Sequence, residues 1–159
     1  DMLMLVEILR DKIMEIPYVK LAYLFDSRVS GNVGATSDYD VAVLLDYDVD
    51  ILSATTQIAH ELAGILQTDR VDVVALNQTP IEFAYSIIAQ GQVFYQHDNA
   101  TRVEYEAYVL GRYGDYLPIL RAQRNDQLQE SDHASRIQWY QTSFRRTERT
   151  LGKIVPVSR

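Results

Sequence analysis

Residues 25–46 read FDSRVSGNVGATSDYDVAVLLD, and the fold turns on this stretch. One apolar run, LAYLF at 21–25, ends just inside it, and another, VAVLL at 41–45, closes it. Short apolar runs bounded by polar sequence fit strands buried on both faces. Between them lie Ser27, Ser30, Gly31, Gly34 and Ser37, a composition that makes loop or a short helical turn. Asp38 and Asp40 stand at i and i+2 as the second strand begins, and side chains at that spacing share one face of a strand. Two carboxylates so close repel unless a divalent cation lies between them. Hard oxygen ligands favour Mg²⁺ or Mn²⁺, which keep waters and take further ligands from substrate phosphates. The hydroxyl and backbone N–H groups of the preceding loop suit phosphate oxygens.

Outward from this stretch, helical and strand periodicities alternate. Residues 2–15 place Met2, Leu5, Val6, Leu9 and Ile13 on one helical face, with Pro17 as the stop. Residues 18–25 and 39–45 read as strands, and 51–66 as a helix capped by Asp50. Residues 70–76 (RVDVVAL) form a third strand. Thr79-Pro80-Ile81-Glu82 predicts a capping box, with Pro80 in the first helical position and the helix ending at Gly91. A fourth strand follows at 92–96. A second capping box at Thr101–Glu104 opens a long helix towards Gln129, which Pro118 is expected to kink or break. A further helix is expected over 136–151. Alternating strands and helices give an α/β or α+β sheet covered by helices.

Length and composition exclude several classes. The 159 residues, 47% apolar and 23% charged, can bury a core without covalent staples. Apolar runs of about five fall far short of the roughly 20 residues a membrane-spanning helix needs. Cysteine is absent, which excludes disulfides and thiolate metal sites. No charged-then-apolar leader opens the sequence, so the cytoplasm is the expected compartment. The net charge of −7 is uneven: residues 130–159 carry +3, leaving −10 on residues 1–129. An acidic body does not attract a nucleic-acid backbone. It suits a metal site or a basic protein partner.

Asp72 interrupts the third apolar strand, and a carboxylate buried there is costly unless paired or metal-bound. If its strand neighbours 39–45, Asp72 completes a triad with Asp38 and Asp40. The plainer reading pairs Asp72 with Arg70 or a backbone amide at a strand edge. Asp46, Asp48 and Asp50 suggest a calcium loop, but Ile51 stands where that loop needs glycine and Gln57 where it needs glutamate, so they read as a turn and a helix cap. His60, His97 and His133 have no ligand spacing. Tyr105, Tyr108 and Tyr116 read as core or interface anchors.

With these residues in place, the sequence resembles the minimal nucleotidyltransferase (MNT) domain of the DNA polymerase beta-like superfamily. The family pattern is Gly-Ser, about ten residues, Asp-x-Asp, then a later Asp on another strand. Here Ser27, ten residues, Asp38-Tyr39-Asp40 and Asp72 match it in order and spacing. The text SRVSGNVGATSDYDVAVLLD is similar to MntA-type antitoxins encoded beside HEPN-domain ribonuclease toxins.

The resemblance implies an α+β fold, a small mixed sheet flanked by helices with a long C-terminal helix. It divides the chain into a nucleotidyltransferase core at 1–100, a helix at 101–129 packed on core or partner, and a partner-contacting tail at 130–159. It makes Asp38, Asp40 and Asp72 both the catalytic residues and the ligands of Mg²⁺ or Mn²⁺. It sets Asp26, Ser27, Arg28 and Ser37 against the nucleotide. The implied reaction moves AMP from ATP to a tyrosine of the HEPN toxin and neutralises it. The alternatives are a non-catalytic antitoxin acting by complex formation, or a small-molecule transferase of the aminoglycoside-modifying kind. One residue departs from the pattern: Asp26 stands where the family has glycine. A side chain and a negative charge there oppose the close approach of a triphosphate.

Overall fold

A computed structural model describes residues 2–26 and 37–130. The elements run α1 (Met2–Met14), β1 (Val19–Phe25), β2 (Tyr39–Leu45), α2 (Ile51–Leu66), β3 (Val71–Ala75), α3 (Ile81–Gln90), β4 (Gln92–Gln96) and α4 (Asn99–Glu130). Four strands form one sheet in the order β3-β2-β1-β4. β1 pairs antiparallel with both β2 and β4, while β2 and β3 are parallel. The sheet is therefore mixed and flanked by helices, as the α+β expectation has it.

Strand alternation sorts the side chains into two layers. Val41, Val43 and Leu45 face a core with Leu9 and Ile13 of α1 and Ile58 and Leu62 of α2. Ala42 faces the other way, into a smaller cluster with Leu21, Tyr23, Phe83 and Ile87. On β3, Val73 packs into the first cluster and Val74 into the second. Asp40 and Asp72 have the parity of Ala42 and Val74, so both belong to the α3 side of the sheet.

Capping decides the details. Asp50 accepts from the Ser53 amide at 3.0 Å and starts α2 as expected. The Ser53 hydroxyl, and then its amide, hold the Asp50 carboxyl below its ordinary range. The C-terminus of α2 closes on Gln67 in the left-handed region (φ 55°), whose amide returns to the Ala63 carbonyl. Neither predicted capping box forms. Pro80 is the N-cap of α3 with no side-chain cap bond, and the Thr79 hydroxyl donates to the Ala75 carbonyl at 2.6 Å. α4 begins earlier than expected, because the Asp98 carboxylate accepts from the Thr101 amide at 2.7 Å.

A 3-10 turn at Leu76–Gln78, unforeseen in the sequence, follows β3. It is anchored by Asn77, whose side-chain amide makes two bonds to the Leu45 backbone and extends the β2–β3 pairing by one step. α4 continues through Pro118 without a break. Gly91 turns α3 into β4 where a Cβ would sit 2.5 Å from the Ile87 carbonyl and 3.2 Å from that of Leu24. Tyr23, buried on β1, ties α4 to the sheet: its hydroxyl donates to Glu106 at 2.6 Å, and Arg102 meets the same carboxylate at 3.1 Å. No helix among the described residues is long and apolar enough to cross a membrane. The helix expected at 136–151 lies outside the described residues.

Candidate active site

The parallel pairing of β2 and β3 makes Asp40 and Asp72 direct register partners. Partners in register on neighbouring parallel strands lie about 4.8 Å apart and project from the same face. Asp40 is buried (6% exposed) and is the only buried charged or polar residue among those described. The Ser37 hydroxyl donates to its Oδ1 at 2.6 Å. Asp72 is exposed, because β3 is an edge strand; the expectation of a buried strand position is corrected here. The protein around its carboxyl still withdraws solvent, and this, with the neighbouring charge of Asp40, raises the Asp72 pKa.

Asp38 behaves differently. It occupies a bend just before β2, where strand geometry does not yet govern direction. Its amide and that of Tyr39 both donate to the Arg70 carbonyl, at 2.8 and 3.3 Å. Its carboxylate accepts from the Thr68 hydroxyl at 2.8 Å and lies 3.6 Å from Arg70 Nε. The plainer sequence reading gave Arg70 to Asp72; the structure gives it to Asp38, two strand positions away from that pairing. Among the described residues, no three acidic or histidine side chains already converge on a metal position. Asp40 and Asp72 are brought together, while Asp38 is turned aside onto the 68–70 segment.

A cavity of about 660 Å³ opens at this end of the sheet, its wall including Asp26, Ser37, Asp38, Asp40 and Arg70. Its apolar side is formed by Met2 and Leu5 of α1 with Leu24. The sequence reading did not assign these residues, nor Thr68 and Arg70, to the site. Only their place just ahead of an Asp-bearing strand could have singled out Thr68 and Arg70. Asp26 closes β1 on the cavity wall, so a third carboxylate enters a space already lined by two. Ser27 and Arg28 lie outside the described residues.

Comparison with known proteins agrees with this geometry. The family model for polymerase beta nucleotidyltransferases matches residues 7–100. A protein adenylyltransferase MntA of Aphanizomenon flos-aquae is 36% identical over 91 residues, covering 52% of this chain and 60% of the relative. The chain thus spans about three fifths of the length of that curated relative. Among solved structures, a complex of tri-AMPylated Shewanella oneidensis HEPN toxin with MNT antitoxin matches with TM-score 0.57 at 25% identity, covering 76% of this chain and 97% of that one. A toxin–antitoxin structure with AMP-PNP matches with TM-score 0.55 at 26% identity, covering 73% and 95%.

Proposed function

This chain belongs to the polymerase beta nucleotidyltransferase family, and from that premise we propose that it is an antitoxin that transfers AMP from ATP to a tyrosine of a HEPN ribonuclease toxin. The observation that carries this reading is the register pairing of Asp40 with Asp72 beside a cavity walled by Asp38 and Asp40. Support for the nucleotide and the partner comes from the relatives, one solved with AMP-PNP and another with an AMPylated HEPN toxin. ATP-dependent chemistry of this kind is at home in the cytoplasm.

The donor set fits a hard divalent cation. Carboxylate oxygens are the ligands Mg²⁺ and Mn²⁺ prefer, and a cation between the two acids offsets both the desolvation and the Asp40 charge that raise the Asp72 pKa. Asp38, Asp40 and Asp72 are the residues that would hold it. When bound, such a cation neutralises triphosphate charge and eases ionisation of an attacking hydroxyl.

The chain's own residues supply the rest. In this reading the cavity seats the nucleotide on the Asp38 and Asp40 side, with Ser37 towards its phosphates, and the family pattern alone assigns Ser27 and Arg28 to the same task. The exposed edge strand leaves the Asp72 side open to a partner's tyrosine. The phenolic oxygen attacks the α-phosphorus, the bond from that phosphorus to the bridging oxygen of the β-phosphate breaks, and pyrophosphate leaves. Asp72, on the open side of the pair, accepts the phenolic proton. The tail at 130–159 contacts the partner in this reading.

Incubating the full chain with labelled ATP, Mg²⁺ and its HEPN partner tests the proposal: label should appear on the partner and vanish with Asp40→Asn. If neither the natural sequence nor Asp26→Gly transfers label, the catalytic reading falls. A second reading is favoured by the Asp26 carboxylate on the cavity wall, namely neutralisation by complex formation alone. Asp40→Asn would then still neutralise the toxin.

A further inference from the structure

The cavity wall carries three described carboxylates, Asp26, Asp38 and Asp40, and among its described residues Arg70 is the one cation. A nucleoside triphosphate brings about four more negative charges at neutral pH, the condition under which a guanidinium is most useful as a fork-shaped donor to phosphate oxygens. Yet Arg70 is directed at Asp38. Resting on the transferase reading, we propose that Arg70 is a nucleotide-binding residue kept on Asp38 until the site is loaded. Its guanidinium then exchanges the Asp38 carboxylate for a phosphate oxygen as a divalent cation takes that carboxylate over.

Three observations carry the exchange. First, the backbone at Arg70 is fixed independently of its side chain. Its carbonyl accepts from the Asp38 and Tyr39 amides, and its amide donates to the Thr68 hydroxyl at 3.1 Å. The side chain can therefore turn without disturbing the β2–β3 pairing. Second, the ion pair is loose. Nε stands 3.6 Å from Oδ1, with the two side chains 54% and 43% exposed, so neither charge is trapped by burial and the contact is of the weak, solvent-screened kind. Third, the Thr68 hydroxyl holds the other oxygen of the same carboxylate at 2.8 Å. Asp38 thus keeps a neutral hydrogen-bond partner when the guanidinium departs. A divalent ion carries twice the charge of a guanidinium to a shorter contact distance, so it wins the carboxylate. Arg70 is left beside the cavity in which phosphates lie.

The exchange makes Arg70 a competitor of the metal and an ally of the nucleotide, and a merely structural residue could not be both. Calorimetry on the full chain distinguishes them, using Mn²⁺ alone in one titration and an α,β-methylene ATP analogue with Mg²⁺ in the other. Arg70→Ala is expected to weaken analogue binding about tenfold, as loss of a charge-assisted phosphate contact does. It should tighten nucleotide-free Mn²⁺ binding roughly twofold to threefold, since a neighbouring positive charge has gone. Arg70→Lys keeps the charge, so its Mn²⁺ affinity should stay at the natural value while analogue binding falls part of the way. Weakening of both ligands together in Arg70→Ala, or no change in either, overturns the proposal while the transferase reading stands. Absence of analogue binding by the natural sequence overturns the transferase reading itself, and this inference with it.

Discussion

Asp40 and Asp72, 32 residues apart in sequence, are register partners across the parallel pair of β2 and β3, one buried and one exposed. Their unequal surroundings assign unequal roles. Asp40 is held by Ser37 at 2.6 Å, a fixed acceptor. Asp72 faces outward on the edge strand with its pKa raised by desolvation and by Asp40.

A carboxylate whose pKa is raised by folding binds protons more readily in the folded state than unfolded. Its charged form therefore destabilises the folded chain above that raised pKa, and the penalty fades as pH falls through it. Asp72→Asn should accordingly raise the thermal midpoint of the metal-free protein at pH 7. The advantage over the natural sequence should shrink as the pH is lowered towards the ordinary carboxylate value. Melting curves across that range check the sign. The same variant should lower AMP transfer by at least about a hundredfold, the usual contribution of a positioned acid–base group.

Replacing Asp26 with glycine removes one negative charge from the cavity wall and a side chain at the end of β1. Nucleotide affinity should rise by roughly tenfold, the worth of one unfavourable charge near a phosphate at an effective dielectric of about 20 to 80. A titration with the α,β-methylene analogue measures it, and an unchanged dissociation constant would show that Asp26 does not oppose the phosphates.

Tyr23→Phe should destabilise the chain by about 1–2 kcal/mol. It deletes a hydrogen bond from a buried hydroxyl to the Glu106 carboxylate, and bonds to charged groups sit at the upper end of the net range. The burial and bond that hold this phenol protonated also pin α4 to β1, so the midpoint of urea unfolding should fall. Arg102 remains on Glu106 at 3.1 Å, which keeps the carboxylate partnered and limits the loss.

Two backbone positions at helix ends should respond in opposite directions. Gln67 sits at φ 55°, a conformation that costs an L residue about 1 kcal/mol and glycine little. Gln67→Gly should therefore stabilise by a few tenths up to about 1 kcal/mol. Gly91→Ala forces a Cβ to within 2.5 Å of the Ile87 carbonyl; the resulting shift should cost about 1–3 kcal/mol, as overpacking does. Thermal melts of both variants suffice.

The sequence alone determined the strands expected at 18–25 and 39–45, which the structure forms at 19–25 and 39–45, because five-residue apolar runs between polar loops have few other solutions. It determined the Asp50 cap as well, since a short acidic side chain before a helical stripe bonds locally. The order of Ser27, Asp38, Asp40 and Asp72 was legible too, and so was the family it points to. Local signals failed where two caps competed. Thr79 and Thr101 are both sound candidates by spacing, but the Ala75 carbonyl claims the first hydroxyl and Asp98 starts the second helix sooner. Pro118 lies within α4 rather than ending it.

Only the tertiary structure decided which acids meet. Parallel pairing of β2 with β3 is a long-range choice made by packing against α2, and it alone puts Asp72 beside Asp40. The same pairing carries the 68–70 segment against the bend at Asp38, handing that carboxylate to Thr68 and Arg70. Spacing along a chain fixes the face on which a side chain stands, whereas its neighbour across the sheet depends on register, which no local window contains.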